Sequence, residues 1–147
     1  MTTRLSRNRG LGLLYYGWPI IALLGILWFP FDWLSTVWPP FGDLFRQVFR
    51  NDHDHFVGHT IFFLIVGGLI LLYVPVLLSK LHWYLAGLIV AALIQETIQA
   101  IFGGRALAFT DINAFKGDAL GGISAFVLWR VIVWLRQHWR DRVGIAT

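Results

Sequence analysis

Four apolar runs, each about the 20 residues needed to cross the hydrocarbon of a bilayer, constrain this chain more than anything else in it. They cover residues 11–29, 56–78, 83–102 and 111–135, the last beginning near Asp111 or Asp118. Apolar types make up 57% of the 147 residues and charged types 14%, where an ordinary soluble domain has about 25% charged. A soluble domain of this length has too little interior to hide so much apolar surface. The expected fold is a single all-α domain over residues 1–147: a polytopic transmembrane helix bundle of four spans plus a short outer interfacial helix. The absence of cysteine excludes disulfides, thiolate metal sites and thiol catalysis.

Charge placement orients the spans. Lys and Arg outnumber Asp and Glu by four, and they sit at the chain ends and beside apolar runs, a membrane pattern and not a nucleic-acid one. With the N-terminus inside, Arg4, Arg7, Arg9, Lys80, Arg130, Arg136, Arg140 and Arg142 are cytoplasmic, whereas only Arg46, Arg50, Arg105 and Lys116 are outside. Seven of the eight acidic residues fall outside or near the outer surface; Asp141 is the exception. Both termini are therefore expected on the cytoplasmic side of the membrane. Tyr15, Tyr16, Trp18, Trp83, Tyr84, Trp134 and Trp139 mark the inner interface, and Trp28, Trp33 and Trp38 the outer one. Arg4, Arg7 and Arg9 before an apolar run resemble a signal peptide, but the run is long and no A-x-A-like site follows, so it reads as a retained first span.

Residues 30–54 are too long for a tight turn. Phe41, Leu44, Phe45, Val48 and Phe49 follow helical spacing, with Asp43, Arg46, Gln47 and Arg50 opposite, which predicts a short helix over 41–50 lying in the outer interface. His53, Asp52 and Asp54 read as a solvated loop, and Arg130 as a snorkelling side chain.

Polar residues within spans are expensive and mark sites. His55 and His59 open the second span, Gln95, Glu96 and Gln99 close the third, and Arg105, Asp111 and Asp118 follow. The topology brings all of them to one depth near the outer face. His55 with His59, Glu96 with Gln99, and Asp111 with Asp118 each have same-face spacing. Thr110 suits a helix N-cap, and Ala114, Gly121, Gly122 and Ala125 form a small-residue stripe for close packing. The binding-pocket candidates are thus His59, Glu96, Gln99, Arg105, Asp111, Asp118 and His55; a purely structural Glu96–Arg105 pair is the alternative for those two.

Glu96-Thr-Ile-Gln99, then Arg105, then Asp111, resembles the E-x-x-Q … R … D signature of the VanZ-like family of small bacterial membrane proteins. Asp118-Ala-Leu-Gly121 resembles that family's following N-x-x-G segment, with Asp118 in place of asparagine and a longer gap before it. His59, with Gly67 eight residues on, matches the family's histidine, and His55 is the other register; the lysine expected near it is absent. The resemblance spans roughly residues 55–125 and implies a cell-envelope protein that affects sensitivity to the glycopeptide teicoplanin.

Three classes of function follow. The first is an outer-face pocket that binds a lipid or peptidoglycan-precursor headgroup, with Arg105 on a phosphate or carboxylate. The second is an intramembrane enzyme in which His59 and Glu96 act as acid and base, or in which His59, Glu96, Asp111 and Asp118 hold a metal. The third is a structural subunit of a larger membrane complex. No H-E-x-x-H or H-x-x-x-D motif sets adjacent ligands, so the sequence by itself implies no cofactor and no metal. The partners expected are membrane lipids, not nucleic acid.

Overall fold

The computed structural model describes residues 17–104 and the backbone of 109–143; the side chains of 109–111, 141 and 143 lie outside that description. Every regular element among the described residues is helical. In chain order they are α1, described over Gly17–Leu27, α2 (Phe31–Val37), α3 (Pro39–Val48), α4 (Asp52–Tyr73), a 3₁₀ turn (Pro75–Ser79), α5 (Leu81–Phe102) and α6 (Phe109–Val143). Three of them, α4, α5 and α6, are long and apolar enough to cross a membrane, and α1 with α2 adds a fourth if that bent pair is one span.

The boundaries differ from the sequence expectation where proline and capping chemistry act. Of the run over 11–29 the described helix ends at Leu27, and α2 departs from it at 58° after a break of a few residues. Pro30 stands at that break as the N-cap of α2, where its missing N–H costs no ladder bond. Residues 11–16, with Tyr15 and Tyr16, and the tail bearing Arg4, Arg7 and Arg9 lie outside the described residues. The expected span 56–78 begins four residues earlier and ends five earlier, as Asp52–Tyr73. Asn51 caps it, its side chain accepting from the Asp54 N–H at 3.0 Å, so Asp52, His53 and Asp54 are the first helical turn and not a loop. Acids there complement the positive helix end. Pro75 disfavours helix at the residue before it, and the chain passes into the 3₁₀ turn.

The third span matches 83–102 closely, as Leu81–Phe102, and stops at Gly103-Gly104, where Gly104 takes a φ of 60° that favours glycine. The fourth, expected over 111–135, continues to Val143, so Arg136, Arg140 and Arg142 are helical. At 35 residues the helix is about 52 Å long at 1.5 Å per residue, longer than a hydrocarbon core of about 30 Å. The amphipathic helix expected over 41–50 is α3, Pro39–Val48, and α2 is a further short helix ahead of it.

The closest packing is between α4 and α6. A Cβ at Gly121 would run into the Thr60 carbonyl oxygen and stand 2.9 Å from the Leu64 nitrogen. A Cβ at Gly117 would stand 2.8 Å from the Phe56 carbonyl oxygen. Only glycine permits backbones that close, the small-xxx-small logic of membrane helices. Gly117 was not part of the stripe read from the sequence. α5 joins the seam through Tyr84, which is buried, abuts Gly67 and donates its hydroxyl to the Gly122 carbonyl at 2.9 Å. Leu27 fills the core beside Phe63, Val66, Leu71, Tyr84 and Leu88, and Trp28 Nε1 donates to the Ala91 carbonyl at 3.3 Å, tying the end of α1 to α5. The outward faces carry Ile61, Ile65, Ile89, Val90, Leu93, Leu120, Ile123, Val127 and Val131, all exposed, as lipid-facing surfaces are.

Candidate functional site

The glycine seam positions the site. Because α6 lacks a Cβ at Gly117, its backbone lies against Phe56 and His59, with His59 Cβ 3.0 Å from where a Gly117 Cβ would be. The next residue on α6 is Asp118. Its Oδ1 stands 2.7 Å from His59 Nδ1. An ionised carboxylate only accepts, so His59 Nδ1–H donates and Nε2 is left for another partner. Glu96 reaches the same point from α5: one ligand atom each from His59, Glu96 and Asp118 lie within 4.8 Å of one another. Three helices thus converge two carboxylates and an imidazole. The carboxylates are deeply buried, Glu96 at 5% and Asp118 at 2% exposure.

Beside this cluster opens a cleft of about 950 Å³. Its polar floor is His59, Gln95, Glu96, Gln99 and Asn113, and its apolar walls include Ile61, Phe62 and Ile65 of α4 and Leu44, Phe45 and Val48 of α3. α3 covers the end of the cleft through a run of rings. Phe41 and Phe45 are 5.8 Å apart and Phe45 and Phe49 4.7 Å apart. Phe49 stacks on His55 at 5.1 Å and presses on Gly58. The outer face of α3 carries an exposed Arg46–Asp43 pair at 2.6 Å.

Of the residues singled out from the sequence, His59, Glu96 and Asp118 meet, and Gln99 lines the adjoining cleft. His55 also lines the cleft, but its ring is engaged by Phe45 and Phe49 rather than by the carboxylates. Arg105 lies outside the described residues, as do the side chains of Asp111 and Thr110, so the Glu96–Arg105 pairing falls outside them too. Gln95 was not among the sequence candidates. It is 5% exposed, and its Oε1 has no hydrogen-bond partner among the described residues; the same holds for Asp118 Oδ2. The signal for Gln95 was its place beside Glu96 in an apolar helix. Asn113 and Asp32, which also line the cleft, carry no sequence pattern that separates them from ordinary surface residues. Comparison with protein-family models, with curated proteins and with solved structures brings no match, so the chemistry of this site stands on its own residues.

Proposed function

We propose that this is a four-span membrane protein that holds an amphiphile in its cleft, headgroup on the polar floor and chains against the apolar walls. The observation that carries the reading is the cleft itself, in which a floor of His59, Gln95, Glu96, Gln99 and Asn113 meets walls of Ile61, Ile65, Leu44 and Val48. Pockets of this size suit small molecules, and Ile61 and Ile65 are more than half exposed on a face that lipid would cover. In this reading α1 and α2 form one broken span, α3 lies in the outer interface as a cover, and both termini are cytoplasmic. The basic residues of α6 beyond Arg130 support that orientation. The resemblance to VanZ-like proteins favours an envelope lipid or lipid-linked peptidoglycan precursor as the amphiphile, with Arg105 on its phosphate, and an effect on glycopeptide sensitivity.

Mass spectrometry of lipids retained after purification in mild detergent tests this. Wild type should carry a phospholipid or lipid-linked precursor in about equal amount to protein. Ile61→Asp with Ile65→Asp, which charges the wall, should lose it while keeping helical circular dichroism. Equal retention in both proteins rejects the reading.

A second reading, an enzyme acting on the same amphiphile, is favoured by the His59–Asp118 hydrogen bond at 2.7 Å. A carboxylate on Nδ1 orients an imidazole and leaves Nε2 as a general base. Turnover of an added phospholipid or precursor by wild type, lost in His59→Gln, is its test.

A further inference from the structure

The geometry points to a metal site: we infer that His59, Glu96 and Asp118 bind one divalent first-row transition ion, Zn²⁺ or Mn²⁺, at the floor of the cleft. Three observations carry it. The ligand atoms come from α4, α5 and α6 and lie within 4.8 Å of one another. Metal–ligand bonds of about 2.1 Å place ligands about 3.4 to 4.2 Å apart, so the widest pair would close by about 0.6 Å at most to enter one coordination sphere. To share an ion, His59 Nδ1 and Asp118 Oδ1, at 2.7 Å, would part by less than about 1 Å and the proton between them would be released to solvent as the metal binds, a side-chain adjustment and not a helix movement.

The second observation is unmet hydrogen bonding. Two deeply buried oxygens, Asp118 Oδ2 within the cluster and Gln95 Oε1 of a residue lining the adjoining cleft, have no hydrogen-bond partner among the described residues. A buried polar oxygen without a partner is destabilising; a cation would satisfy Asp118 Oδ2, and a water held by it could serve Gln95 Oε1. The third is charge. Asp118, at 2% exposure, is a carboxylate in a low-dielectric interior beside His59, where a divalent ion would add compensating charge.

The donor set selects the ion class. One imidazole and two carboxylates suit Zn²⁺ or Mn²⁺, whereas Mg²⁺ and Ca²⁺ favour oxygen-only shells and Cu⁺ favours sulfur. Three protein ligands leave a further position open, as in catalytic rather than structural zinc sites. Glu96, His59 and Gln99 all face the cleft, so that position is directed at whatever the cleft holds. A headgroup phosphate or carboxylate is the chemistry it would take. The ion site stands on the three side chains alone and survives if the cleft proves to hold no amphiphile.

The test uses the full-length protein in detergent or nanodiscs, stripped with chelator and titrated with ZnCl₂ and MnCl₂, with bound metal measured by elemental analysis after desalting. One equivalent of Zn²⁺ or Mn²⁺ per chain is expected, with affinity reduced about 100-fold or more in His59→Asn and in Glu96→Gln. His53→Asn with His55→Asn should bind as wild type. X-ray absorption of Zn-loaded wild type, which depends on no variant folding, should show a nitrogen and oxygen shell with one imidazole. No retained metal overturns the inference, as does undiminished binding by folded His59→Asn, loss in the His53/His55 variant, or a shell with two or more imidazoles. Lipid retention is measured separately, so the amphiphile reading and the ion site fail independently.

Discussion

The α4–α6 seam and the α2–α3 cover bound the same cleft and are built on opposite principles. At the seam, backbone meets backbone: Gly117 and Gly121 let α6 lie against the carbonyls of Phe56 and Thr60, and the buried His59–Asp118 bond crosses between the helices. The cover touches the bundle through aromatic side chains, in the ring series Phe41, Phe45, Phe49 and His55 and an edge contact of Trp33 with Phe102 at 6.2 Å. Its two helices have 7 and 10 residues, and neither has a side-chain hydrogen bond at its N-cap. Helices that short have little stability apart from tertiary packing. The lesson is a division of labour. A seam that tolerates no added atom holds the polar floor at fixed distances, and a cover held by ring contacts rests on packing that is easier to disturb.

A matched pair of truncations separates the two regions most widely. Phe63 is fully buried in the seam, where Phe→Ala costs about 3–5 kcal/mol. Phe45 is half-buried under the cover, and Phe45→Ala should cost about 1 kcal/mol, since only part of its area leaves contact. Thermal unfolding in detergent, followed by circular dichroism, reads both. Equal losses would mean that the cover is as integral as the seam and would end the comparison.

Next in size is an addition rather than a deletion. Gly121→Val puts a branched side chain against the Thr60 carbonyl and the Leu64 nitrogen, backbone groups that cannot rotate away. A loss of about 3 kcal/mol is expected, at the upper end of overpacking costs. Gly68→Ala serves as control, because a Cβ there meets nothing within 4 Å; it should be neutral or slightly stabilising. Comparable losses from both would show that the helices do not approach through Gly121.

Much of this architecture is legible in the sequence, for reasons specific to each element. Span length and lack of charge reveal α4, α5 and α6 because lipid filters segments by those properties alone. The spacing of Phe41, Phe45 and Phe49 reveals α3 because a short helix with one packed and one exposed face must segregate the two. Boundaries were harder. Asn51 and Pro75 each carry a local signal, yet the apolar run straddles Pro75 and begins after Asn51, so hydropathy misplaces both ends of α4. The site was half visible. His59, Glu96 and Asp118 announce themselves as polar groups at one depth, but depth does not say which face of a helix turns inward. His55 shares a side of α4 with His59 by spacing and still meets aromatic rings instead. Gly117 went unread because a single glycine beside an aspartate looks like a helix start until α4 is seen against it.

His59→Ala probes the seam at its polar point. It removes the one hydrogen-bond partner that Asp118 Oδ1 is shown to have and leaves a carboxylate at 2% exposure to be satisfied by water. A loss of about 2 kcal/mol is expected, and His59→Gln, which can still donate, should recover part of it. If alanine and glutamine at this position melt alike, the bond does not contribute to joining α4 with α6.

The smallest effect belongs to the cover's outer face. Arg46 and Asp43 pair at 2.6 Å, with side chains 66% and 68% exposed. The pair is one helical turn apart within α3, so it cannot fasten the cover to the bundle; it can only support α3 as a helix. Exposed pairs of this kind contribute a few tenths of a kcal/mol at low salt. Arg46→Ala should therefore leave thermal unfolding of the bundle unchanged within error. Its effect belongs in amide hydrogen exchange, which resolves local opening: faster exchange confined to α3, with α4 and α6 unaltered, and a smaller difference from wild type as salt rises. Slower exchange, or a change that spreads into α4 or α6, would mean that cover and seam open together, and a ligand could not then enter by displacing α3 alone.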